Sequence, residues 1–160
     1  MISEVDLFHT GYVVSDIAAS MRTLTDAIGY EWASVADVTR SVNTDQGLLP
    51  RRSLVSYTSN TPEHHIELMQ LIDGSAWERM PRGSDLPHIG YWSGDFDEDV
   101  HRLQRAGFRL YMLDSESSTS YHHNAAFGYY VEFVNVRDRP LIQAWIEGSA
   151  LTIGQTDSAV

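Results

Sequence analysis

The 160-residue chain contains no cysteine and no lysine. The first absence excludes disulfides and thiolate chemistry, so metal ligation falls to His, Asp or Glu. The second removes a Schiff-base lysine and the lysine of a phosphate-binding loop. Positive charge is scarce as well: 11 basic residues, all arginine, stand against 22 acidic ones, for a formal charge of −11. A nucleic-acid backbone demands a positive face, so no nucleic-acid partner is expected. No apolar run approaches the ~20 residues of a membrane helix, so no membrane partner is expected either. No charged-then-apolar leader is visible at the start, and a soluble, cytoplasmic protein is the expectation.

What the chain does have is a phrase written twice. HTGYVVSD begins at His9 and HIGYWSGD at His88, with His, Gly, Tyr and Asp at matching spacings. A helical pattern follows each copy. Ile17, Met21, Leu24 and Ile28 form one apolar stripe, and Phe96, Val100 and Leu103 form the other. Asp16 and Asp95 stand where helix N-caps belong, and Gly29 and Gly107 where the helices stop. The later parts agree too. SLVSYT (53–58) and HIELMQL (65–71) predict two strands, as do STSYHH (118–123) and YYVEFV (129–134). Residues 30–39 and 108–113 supply the remaining strands. Each half is therefore expected to run strand, helix, then three strands.

The predicted organisation is one α+β domain of paired βαβββ modules, the first spanning about 7–74 and the second about 88–136. Residues 75–87 (SAWERMPRGSDLP) have the composition of a linker, and 137–160 of a C-terminal extension. Within that extension 140–147 is expected to form a short helix, and TIGQTDSAV to fray. RSVNTDQGLLPRR (40–52) is expected to be a long loop. Its adjacent Arg51 and Arg52 are then solvated loop charges.

Alternation along strands selects the candidate site. If Ile66 and Leu68 face the first helix, Glu67 faces the other way; Val131 and Phe133 do the same for Glu132. Tyr12 and Val14 share one side of the opening strand, which leaves His9 and Gly11 on the other, as His88 and Gly90 are in the second copy. If the sheets curl with helices outside, His9, Glu67, His88 and Glu132 converge on the concave face. Two imidazoles and two carboxylates suit a divalent transition metal, which also offsets the cost of a buried carboxylate pair. Taken singly, each residue is more often an ordinary strand position than a ligand; the symmetry of their placement favours a shared site. Trp92, Tyr130, Tyr121 and His123 are candidate substrate-binding residues, although register leaves open whether the 121/123 or the 122/124 pair faces inward. His64 and His65 are assigned to solvent or to supporting positions, and His101 to the surface.

The stretches HTGYVVSDIAAS, HIELMQ, HIGYWSGDFDEDVHRLQRAGF and YYVEFVN resemble the vicinal oxygen chelate superfamily over roughly residues 7–136. The resemblance is closest to its glyoxalase I and methylmalonyl-CoA epimerase-like branch. It implies an open eight-stranded cup with helices outside, and one divalent metal (Ni, Co, Mn, Fe or Zn) on His9, Glu67, His88 and Glu132. It also implies proton-transfer chemistry by isomerisation, epimerisation or lyase steps, with Glu132 as base and Glu67 as the second catalytic carboxylate. Alternatives within the resemblance are an Fe(II) extradiol-type dioxygenase and a non-catalytic drug- or metabolite-binding resistance protein. A homodimer is implied in the same way. The missing lysines and the acidic charge point to a largely apolar, oxygen-rich small molecule as substrate, rather than a glutathione or CoA thioester.

Overall fold

The computed structural model describes residues 6–79 and 87–151. Part of the expected linker and the expected frayed tail (152–160) lie outside the described residues.

Strand β1 (Leu7–Val13) leads into helix α1 (Ile17–Ile28), followed by β2 (Ala36–Thr44), β3 (Gly47–Tyr57) and β4 (His65–Leu71). The second half repeats this order with β5 (His88–Ser93), α2 (Phe96–Arg105), β6 (Arg109–Asp114), β7 (Thr119–His123) and β8 (Tyr130–Asn135). Helix α3 (Arg139–Ile146) follows a short 3-10 turn. Asp16 caps α1 through its side chain, which accepts from the Ala19 amide at 2.8 Å; Asp95 precedes α2 without a side-chain capping bond. Gly29 (φ 87°) and Gly107 (φ 85°) supply the left-handed turns that end the two helices.

The eight strands form one ring in the order β1-β4-β3-β2-β6-β7-β8-β5. Each module contributes a four-stranded wall in which the first strand lies parallel to the last. The walls join along the antiparallel β1–β5 seam and through a short β2–β6 contact, Val42 opposite Asp114 and Asn43 opposite Leu113. The cup predicted from sequence thus has a continuous hydrogen-bonded wall.

One expectation is overturned. Residues 40–52 form the long β2–β3 hairpin, in register from Ala36–Val55 to Thr44–Gly47, and not a loop. Polar outward positions and Pro50 disguise the alternation, yet Val42 is fully buried. Pro50 pairs with Ser41 where β3 has outrun β4, whose register begins at Ser53. An edge position of that kind tolerates proline.

Helix α2 packs outside the barrel, with Phe96 and Val100 against Val131 and Phe133 of β8. The larger apolar cluster lies within the ring and includes Phe8, Val55, Tyr57, Met69, Trp92 and Tyr121. Helix α3 takes a different place, because Trp145 and Ile146 join that inner cluster and the Trp145 ring meets Tyr57 edge-on at 5.4 Å. The expected linker contributes too: Ala76–Arg79 is a 3-10 turn whose Trp77 is buried against Tyr121.

Candidate metal centre

The duplicated His-x-Gly phrase acquires a physical reason at the β1–β5 seam. There His9 lies opposite Gly90, and Gly11 opposite His88. A Cβ on Gly90 would come within 2.1 Å of the His9 ring, and one on Gly11 within 1.9 Å of the His88 ring. Each module's glycine leaves the space its partner module's histidine fills. The same glycines pair with the glutamates on their other side, Gly11 with Glu67 and Gly90 with Glu132.

His9, Glu67, His88 and Glu132 consequently meet, each at most 4 % exposed. One donor atom from each lies within 4.8 Å of all the others. His9 Nε2 is 2.9 Å from Glu132 Oε2 and 3.0 Å from His88 Nε2. His88 Nε2 is 2.6 Å from Glu67 Oε2, which has no partner of acceptable hydrogen-bond geometry. Burial alone would lower the His88 pKa, but Glu67 and Glu132 outweigh it and raise it to about 10. Burial alone would raise Glu132, yet its bonds to His88 and His9 hold it well below the usual carboxylate range. The site prefers a positive charge between its carboxylates. A buried N2O2 set with converging donors fits a divalent transition metal, which would replace that proton.

Two tyrosines complete the symmetry. Tyr57 faces Glu67 across the β3–β4 pair, and Tyr121 faces Glu132 across β7–β8. Burial together with the carboxylates they face pushes both phenols well above their ordinary pKa. Both phenols therefore stay neutral beside the carboxylates. The sequence reading missed Tyr57, although the shared Ser-Tyr of SLVSYT and STSYHH carries the signal.

The centre opens on a cavity of about 90 Å³. Its wall comprises Val38, Arg40, Arg51, Ser53, Val55 and Tyr57 from the hairpin, Met69 from β4, Trp77, and Thr119, Tyr121 and Val134 from the second module. Leu141, Ile142 and Trp145 of α3 and Leu151 close one side. Arg51 is 7 % exposed and inside, so the solvated-charge expectation for it is overturned; Arg52 alone points out. Strand alternation separates the two.

Of the four expected substrate contacts, Tyr121 lines this cavity. Trp92 is buried but stacks on Phe8 at 4.1 Å, outside the lining. Tyr130 and His123 pack on each other at 4.9 Å, also outside it, with His123 Nε2 bonded to the Phe127 carbonyl. These aromatic residues pack on one another and on Phe8. The 121/123 pair is the inward one, and His122 instead lies beside Phe133, where burial lowers its pKa to about 4. His64 bonds Thr10, His65 bonds the Thr58 carbonyl, and His101 is exposed.

The family model described as Glyoxalase/Bleomycin resistance protein/Dioxygenase superfamily matches residues 8–129. The chain belongs to this superfamily. Similar solved structures include methylmalonyl-CoA epimerase from Mycobacterium tuberculosis, at 21% identity and a TM-score of 0.52. That match covers 84% of this chain and 92% of the other. A single-site variant of Streptomyces coelicolor methylmalonyl-CoA epimerase, in complex with 2-nitronate-propionyl-CoA, is also 21% identical, with a TM-score of 0.54 over 83% of this chain and 98% of its own. No curated protein matches by sequence. At these identities the structures establish the shared vicinal oxygen chelate fold. Among the described residues no helix is long and apolar enough to cross a membrane.

Proposed function

We propose that this superfamily member is a divalent-metal-dependent, glyoxalase-like enzyme that transfers a proton on an oxygen-chelating small molecule. The observation that carries this reading is the pair of buried carboxylates, Glu67 and Glu132, flanking two histidines, each carboxylate opposite its own tyrosine on the neighbouring strand. His9, Glu67, His88 and Glu132 would hold the ion. When bound, it would supply Lewis acidity to a substrate oxygen and so acidify the neighbouring C–H.

The protein's own groups then divide the work. A Glu132 carboxylate oxygen takes the proton from the substrate carbon, and Glu67 returns one from the other flank. Return to the same carbon with opposite geometry is epimerisation, and return to a neighbouring atom is isomerisation. Expulsion of a leaving group in place of protonation is a lyase reaction. Tyr57 and Tyr121 keep each carboxylate oriented while it changes charge, and the walls of α3 and Trp77 exclude water. The carboxylate at position 67 supports proton transfer over extradiol-type dioxygen chemistry, for which a second protein carboxylate has no role.

The test is proton exchange in D2O with metal-loaded protein, followed by NMR over methylmalonyl-CoA, 2-oxo acids and aromatic ketones. Loss of one substrate C–H signal, dependent on both metal and Glu132, is expected. Oxygen uptake with a catechol and no exchange would overturn the proposal in favour of a dioxygenase. The reading includes a cytoplasmic homodimer, and light scattering at micromolar concentration checks the dimer.

A further inference from the structure

The cavity holds one charge that nothing in it balances. Glu67 and Glu132 are matched by a divalent ion on the reading above. Arg40 pairs with Glu116 at 3.3 Å, and the cavity's Asp138 with Arg137 at 3.8 Å. Arg51 is buried, and among the described residues no carboxylate lies within ion-pair distance of it. Its Nη1 donates to Thr119 Oγ1 at 2.9 Å, and its guanidinium sits 5.8 Å from the Trp77 ring and 5.5 Å from the Tyr121 ring. A hydroxyl and two ring faces position a guanidinium but leave most of its five donors unused. A buried cation without an anion is costly, so the arrangement calls for one.

Position along the strand says where that anion belongs. Arg51 is six residues from Tyr57 on the same inward face of β3, about 20 Å of strand. Its guanidinium nevertheless reaches back to the Tyr121 ring at 5.5 Å, so an anion on it lies a short span from the metal centre. We propose that Arg51 anchors a carboxylate of the substrate. The ligand is then a compact carboxylic acid whose far end carries the oxygen pair presented to the metal. This rests on the metal reading for the charge balance and adds the substrate's chemical class to it. Guanidinium offers a planar, two-point fork to a carboxylate, and the enclosed site strengthens it.

Monohydroxamates of succinic, glutaric and adipic acid place a metal-binding oxygen pair at one end and a carboxylate at the other. Their neutral amides, of equal size, are the controls. Binding to metal-loaded wild type and Arg51→Met is followed by the fluorescence of Trp77 and Trp145. Wild type should prefer at least one acid over its amide by about tenfold or more, and Arg51→Met should lose that preference while still binding the amides. Equal binding of acids and amides to wild type at every length would overturn the proposal, as would a preference that survives Arg51→Met. Metal content, measured on the same samples, reports separately on the metal reading. If the protein takes up no metal, titration with butyrate and butyramide decides the role of Arg51: an Arg51-dependent preference for the acid supports it, and no preference refutes it.

Discussion

At the scale of single residues, the seam glycines are the least replaceable positions near the centre. Gly90→Ala would place a methyl carbon where the His9 ring stands, and Gly11→Ala would do the same to His88. Rigid paired strands cannot move apart to accommodate it, so the ring must turn away. Either substitution should abolish stoichiometric metal uptake with the strands still formed, which metal analysis beside circular dichroism will check. Glu132→Gln keeps the size and one oxygen donor but removes the basicity. It should lower turnover of the true substrate by about 10²–10⁴-fold while leaving metal content near wild type. His122 offers a test away from the centre. Its folded pKa is about 4 because of burial, against an ordinary value near 6.5. Above pH 6.5 its contribution to stability is fully present. Between pH 6.5 and 4 the unfolded chain takes up a proton the folded one refuses, and about 3 kcal/mol is lost. Denaturation of His122→Leu across this range should show a flatter pH dependence than wild type.

At the scale of elements, the two halves share a pattern but not every bond. The repeat places Asp16 and Asp95 alike, yet only Asp16 closes a side-chain cap. Asp16→Ala should therefore cost about 1 kcal/mol in urea denaturation, and Asp95→Ala clearly less. The repeat made the order of strands and helices legible, because apolar periodicity changes from two to 3.6 and back in each half. It failed at residues 40–52, where inward Arg40 and Arg51, outward Leu48 and Pro50 interrupt an alternation that Val42 and Leu49 maintain. Reading that hairpin as a loop hid the inward position of Arg51; Tyr57 lies within the expected strand 53–58 and is passed over there. Parity is silent on a second point. Trp92, Tyr130 and His123 have inward parity, but parity does not say whether a side chain borders empty space or another ring. Only packing against Phe8 and the Phe127 turn decides that.

At the scale of the whole molecule, four side chains separated by up to 123 residues meet because the two walls close on one another at the β1–β5 seam. Their convergence was legible from strand parity together with the duplication; the cavity wall built by α3 and Trp77 was not, since no local pattern tells a helix which opening to cover. Bringing both ends of the fold to one ion ties its binding to global stability. An ion at about 100 times its Kd should add about 2.7 kcal/mol to unfolding, reversibly on chelation. Uptake should also strengthen as pH rises toward 10, because the proton on His88 must leave before its nitrogen can ligate. The most direct test is the metal content of wild-type protein and Glu67→Ala after loading with Ni, Co, Mn, Fe or Zn and desalting. The arrangement predicts one ion per wild-type chain for at least one of these metals and a marked loss in the variant. Wild-type protein that stays metal-free with all five, or a variant that retains a full equivalent, would contradict it.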